Sequence, residues 1–126
     1  RRFSAQVALR IAMGIASAAA HLHQQGITHG DLYGHNILLN EQGDCLLGDF
    51  GAASFHATTD SGETRALQRI EVRAFGVLLG ELLARIESGL SDERREVLEA
   101  LEQRCCQPDV LARPGFSEVI EVLQKA

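Results

Sequence analysis

A chain of 126 residues, 45% hydrophobic and 23% charged, holds enough apolar material for one buried core and too much for a disordered segment. Its formal charge of −5, without a basic stripe interleaved with aromatics, excludes a non-specific nucleic-acid binder. Three cysteines, two of them adjacent (Cys105 and Cys106), exclude a disulfide framework and point to a reducing cytoplasm, and charged residues interrupt every apolar stretch that could span a membrane.

From Phe3 to about Gln24, apolar residues recur as Phe3, Val7, Ala8, Ile11, Ile15, Ala19 and Leu22, which predicts a helix with an alanine-rich face. Gly26 stands where its C-terminal stop is expected. Residues 27–36 show no period and read as an ordered loop. The stretches "ILLN" (37–40) and "CLLG" (45–48) flank "EQGD" and predict a short hairpin with Gly43 in the turn. Residues 52–69 are polar and aperiodic and read as a loop. "IEVRAFGVLLGELLARI" (70–86) then presents Phe75, Leu78, Leu79, Leu82 and Ile86 on one face, a second buried helix. Four residues, "ESGL", lead to Ser91, an N-cap for a third helix over 92 to about 105, with Glu93 and Glu96 near its positive end. Pro108 and Pro114 bracket a loop, and "FSEVIEVLQKA" closes the chain as a fourth helix. The fold class is therefore mainly α with a small β-hairpin.

Chemistry concentrates in "THGDLYGHNILL" (28–39) and "LLGDFGAAS" (46–54). Phosphoryl transfer asks a protein mainly to orient a hydroxyl and to neutralise phosphate oxygens with cations. Asp31, an acceptor-only carboxylate, suits the orienting role. The Asn36 amide oxygen and the Asp49 carboxylate are hard ligands suited to Mg²⁺. A hairpin between Asn36 and Asp49 would deliver both to the same end of one cleft. His21, His23, His35 and His56 read as surface or helix residues, and Cys105 and Cys106 as core filler.

"HGDLYGHN" resembles the catalytic loop of the protein-kinase-like superfamily, and "GDFG" its Asp-Phe-Gly motif, with Asn36 five positions after Asp31 and Asp49 thirteen after Asn36. "EVRAFGVLLGELL" resembles the central buried helix of that family, and "CCQPDVLARPGFSEVIEVL" its closing Arg-Pro-x-Phe signature. The resemblance runs from residue 3 to 124 and implies that residues 1–126 are a C-terminal kinase lobe, part of a kinase domain whose N-terminal lobe is absent here. A chain opening on Arg1 rather than Met agrees with a piece of a longer parent. Eukaryotic-like kinases of bacteria, some attached to leucine-rich repeats, share "HGDLY" and a short activation segment.

The resemblance implies an ATP- and Mg²⁺-dependent transfer to Ser/Thr hydroxyls of a protein substrate. Asp31 is then the catalytic base, and Asn36 and Asp49 bind the metal and, through it, the nucleotide. His29 and Phe50 belong to the packed spine, Gly51 lets the backbone turn, and Arg113 is the buried arginine that pairs with a glutamate ending the activation segment. Gly30 stands where the family's phosphate-sensing Arg would be, Tyr33 where Ser/Thr kinases carry Lys, and Glu71 and Arg73 replace Asp and Trp. Only nineteen residues separate Gly51 from Glu71, little room for a peptide platform. The Gly-rich loop and Lys strand are missing, so the chain by itself is expected to be inactive. Two other readings stay open: a small-molecule phosphotransferase of the aminoglycoside or choline kinase type, whose preferred spelling is "HGDL", and a non-catalytic pseudokinase scaffold.

Overall fold

The computed structural model describes residues 3–25, 27–28, 37–39, 45–47, 54–55 and 62–125. Strand β1 (Phe3–Ser4) leads into helix α1 (Ala5–Gln24), followed by strands β2 (Ile27–Thr28), β3 (Ile37–Leu39), β4 (Cys45–Leu47) and β5 (Ser54–Phe55). Helix α2 (Gly62–Ala84), strand β6 (Ile86–Ser88), helix α3 (Asp92–Cys106), a 3₁₀ turn (Val110–Ala112) and helix α4 (Phe116–Lys125) complete the order. The mainly helical architecture with a small hairpin is the one the sequence predicts.

Helix α1 begins because Ser4, in extended backbone, accepts a hydrogen bond at its Oγ from the Val7 amide (3.3 Å). It ends as the Gln25 amide donates to the Leu22 and His21 carbonyls; Gly26, the expected stop, lies outside the described residues. Ala8, Ile11, Ala12, Ile15, Ala16 and Ala19 are buried along one stripe, and the small alanines allow close packing on α2 and α4. At 20 residues α1 is long and apolar enough by composition to cross a bilayer, but Arg10 interrupts it, in keeping with the sequence reading. Its apolar side is part of the core, joined there by Val72, Phe75 and Leu79 of α2, Leu98 and Leu101 of α3, and Phe116 and Val119 of α4.

The strands form three two-stranded ladders. The expected hairpin is β3 and β4, antiparallel, with Ile37 opposite Leu47 and Leu39 opposite Cys45. Its turn, including Gly43, lies outside the described residues. Residues 27–28, read as loop, form β2 and pair antiparallel with β5, Ile27 opposite Phe55. β6 pairs in parallel with β1, so the segment read as a bare connector between the second and third helices also tethers the entry to α1.

The largest departure is the start of α2. It begins at Gly62, within the stretch read as loop, and ends at Ala84, so Ile86 belongs to β6 instead of the helix. The early turns were hidden because the inward side of α2 there carries Gln68 and Glu71, both buried, and a hydrophobic period cannot register buried polar groups. Phe75, Leu78, Leu79 and Leu82 are buried as expected.

Helices α2 and α3 meet closely at two glycines. A Cβ added to Gly76 would lie 2.6 Å from Cys106 Sγ and 2.7 Å from Cys105 Cβ; one added to Gly80 would lie 2.7 Å from Glu102 Oε2. Helix α3 is capped as predicted, with Ser91 Oγ accepting from the Arg94 amide (3.3 Å) and Asp92 and Glu93 in its first turn.

Candidate active site

Asp31, Asn36 and Asp49, the base and metal ligands implied by the motifs, lie outside the described residues, as do His29, Gly30, Tyr33, His35, Phe50, Gly51 and His56. What is described is the frame that flanks them. Asn36 is covalently followed by Ile37, and Asp49 comes two residues after Leu47; the β3–β4 register sets Ile37 opposite Leu47. The other edge of the motif is β2, which immediately precedes His29 and is held by β5.

Beneath that frame lies a buried polar pair that the sequence reading missed. His23, read as a surface or helix residue, is only 9% exposed, and Glu71 only 5%. Glu71 Oε1 is 2.8 Å from His23 Nε2. The pair ties the last turn of α1, just ahead of the motif, to the middle of α2. The His23 ring sits edge-on to Phe116 (centroids 5.2 Å apart, 62°), and Phe116 edge-on to Phe75 (5.6 Å, 79°), an arrangement aromatic quadrupoles favour. The signal was present in the sequence: His23 follows Ile15 and Ala19 at four-residue steps, on the stripe that the apolar residues mark as inward. His21, off that stripe, is exposed as expected.

Arg113 is buried, as the resemblance implied, but its described bonds go to carbonyls instead of a glutamate. Its Nε donates to Gln107 O (2.8 Å) and its NH1 to Arg69 O (3.1 Å). Arg69 reciprocates, its Nε donating to Arg113 O (2.8 Å). Two guanidinium groups thus cross-link α2 to the loop before α4, and the Arg113 and Gln107 carbonyls, which lie outside the helices, gain donors from them.

Cys105 and Cys106 offer no ready nucleophile. Burial, reinforced by the adjacent Cys106, pushes the Cys105 thiol up to about 12, and burial likewise raises Cys106, with Glu102 adding to the effect. Both are free thiols that stay protonated at neutral pH, which confirms the reading as core filler for Cys105. Among the described residues no group of three His, Cys, Asp or Glu side chains is disposed to hold a metal.

A helical lobe whose Arg-Pro-x-Phe segment is locked onto a central buried helix, beside an antiparallel ladder that follows an Asp-x₄-Asn motif, has the build of a kinase-like lobe. The family model described as the protein kinase domain matches residues 1–74, more than half of the chain, and the chain belongs to that family. A calmodulin-binding receptor kinase of Arabidopsis thaliana is 36% identical over 95 residues, covering 75% of this chain and 14% of its own length. The serine/threonine/tyrosine-protein kinase HT1 of the same plant is 26% identical over 158 residues, covering 97% of this chain and 40% of its own. A probable inactive L-type lectin-domain containing receptor kinase, also from Arabidopsis, is 37% identical over 82 residues, covering 58% and 13%. The chain therefore spans well under half the length of these relatives.

Proposed function

We propose that these residues are the helical lobe of a cytoplasmic Ser/Thr protein kinase domain that transfers the terminal phosphoryl group of ATP to hydroxyls of a protein substrate. The match of the kinase family model across residues 1–74, the segment holding both motifs, carries the reading. Asp31 accepts the hydrogen bond of the attacking hydroxyl, aims its oxygen at the phosphorus and takes up its proton as the bond forms. The donor set fits a hard divalent cation, one carboxylate (Asp49) and one amide oxygen (Asn36) leaving coordination positions for phosphate oxygens and water. When bound, Mg²⁺ supplies neutralisation of the charge on the transferring phosphoryl group. The β3–β4 ladder supports this role because it pairs Ile37, next to Asn36, with Leu47, two residues before Asp49. The His23–Glu71 pair supports it because it holds the approach to the motif against the core.

Asp31→Ala in the full-length protein is expected to lower phosphate incorporation from labelled ATP by about 10²–10⁴-fold, the usual worth of a general base. Undiminished transfer would place the chemistry elsewhere. The same assay with sugar or choline acceptors separates protein from small-molecule phosphotransfer.

A second reading is a pseudokinase. Gly30 and Tyr33 in place of the usual Arg and Lys favour it, as does the likeness to a receptor kinase described as inactive. Absence of transfer from the unsubstituted full-length protein to any acceptor would select it.

A further inference from the structure

A polar cavity lies where the end of α1, the first turns of α2 and the start of α4 converge. Its volume is about 410 Å³, and Arg65, Gln68, Arg69, Gly115 and Ser117 contribute to its wall. Three observations bear on its occupant. Gln68 is 8% exposed, lines the cavity, and has no hydrogen-bond partner for its side-chain amide among the described residues. Its amide faces the cavity and stays accessible from it, so its donors and acceptor can engage something that enters.

The Arg69 guanidinium is pinned by its Nε on the Arg113 carbonyl, and its terminal nitrogens lie against Gly115, where a Cβ would come within 3.3 Å of NH1. Its remaining N–H groups are therefore oriented without being consumed. The third observation is α4 itself, ten residues long, opening directly on the cavity. The Gly115 carbonyl receives the Glu118 and Val119 amides, while those of Phe116 and Ser117 meet no acceptor among the described residues. The positive end of a helix and an arginine repel each other unless an anion lies between them. Glu118, the carboxylate in that first turn, is engaged by Arg104.

We propose that this cavity binds a phosphoryl dianion, held by the Phe116 and Ser117 amides, the guanidinium groups of Arg65 and Arg69, and the Gln68 amide. A tetrahedral dianion matches this donor set better than a carboxylate, because two arginines and a helix start offer more N–H groups than two oxygens accept. The phosphoryl group comes either from free phosphate or from a phosphorylated side chain of a protein segment. Neither source involves Asp31, Asn36 or Asp49, so the proposal stands or falls apart from the kinase reading.

The full-length protein, labelled with ¹⁵N-Phe and ¹⁵N-Ser, is titrated with inorganic phosphate against chloride at constant ionic strength. The Phe116 and Ser117 amide resonances are expected to move saturably, with affinity at least tenfold weaker in Arg65→Gln and in Gln68→Leu. Arg65 is exposed and Gln68→Leu keeps the side-chain volume, so both variants keep the fold, and an unchanged spectrum elsewhere verifies it. Amides that stay still, or affinities unchanged in both variants, overturn the proposal. A phosphothreonine peptide that displaces phosphate at lower concentration identifies a phosphorylated segment as the source; displacement only at higher concentration identifies free phosphate.

Discussion

His23 and Glu71 sit 48 positions apart, yet each lies on a stripe that its own helix turns inward. Such positions are legible when apolar and easily misread when polar, because a single His or Glu looks the same in sequence whether it faces solvent or a partner. Ala19 and Ile15 before His23, and Val72 and Phe75 after Glu71, supply the signal: a polar residue in phase with a buried stripe needs a partner. Removing one member leaves the other buried. Glu71→Ala is expected to destabilise the protein by about 1–3 kcal/mol, the desolvation left uncompensated at His23, read as a lower urea midpoint. Glu71→Gln, which keeps an oxygen within reach, is expected to lose less. An equal loss in both would mean that side-chain packing, not the hydrogen bond, sets the effect.

At the scale of elements, the helices with apolar periods were legible: α1, the second half of α2, α3 from its Ser91 cap, and α4. The short strands were not, apart from β3 and β4, since two residues carry no period to detect. Nor does a sequence period reveal the parallel pairing of β1 with β6, which depends on tertiary approach across more than eighty positions. The α2–α3 contact depends on Gly76, whose absent side chain makes room for the backbone-proximal Cβ of Cys105. That atom cannot swing aside, so Gly76→Ala is expected to cost about 1–3 kcal/mol through overpacking despite alanine's better helix propensity. A urea midpoint unchanged or raised in Gly76→Ala would show that the two helices can separate without penalty. Motif spacing names a candidate base and metal ligands, which lie outside the described residues, whereas nothing in the sequence signals the cavity at α4: Gln68, Arg69 and Gly115 meet only through folding.

The sequence as a whole carries segments resembling the catalytic-loop and Asp-Phe-Gly motifs of a kinase, but within its 126 residues no Gly-rich phosphate loop or Lys-bearing strand of that family is found. Nucleotide affinity in kinases is shared between both lobes. The isolated polypeptide 1–126 is therefore expected to show no rise in melting temperature with Mg-ATP, while the full-length protein does. A rise of several degrees in the isolated polypeptide would mean that one lobe suffices to hold the nucleotide.

The reciprocal Arg69–Arg113 cross-link carries a further consequence for how this lobe is made. Its two halves are 44 positions apart, so on the ribosome α2 is synthesised well before the loop whose carbonyl receives the Arg69 side chain. Until that loop emerges, the opening turns of α2 have their polar face uncovered, and closing so long an intervening chain is entropically slow. Vectorial synthesis thus leaves the Arg69 turn of the central helix without its cross-link until the loop before α4 has emerged.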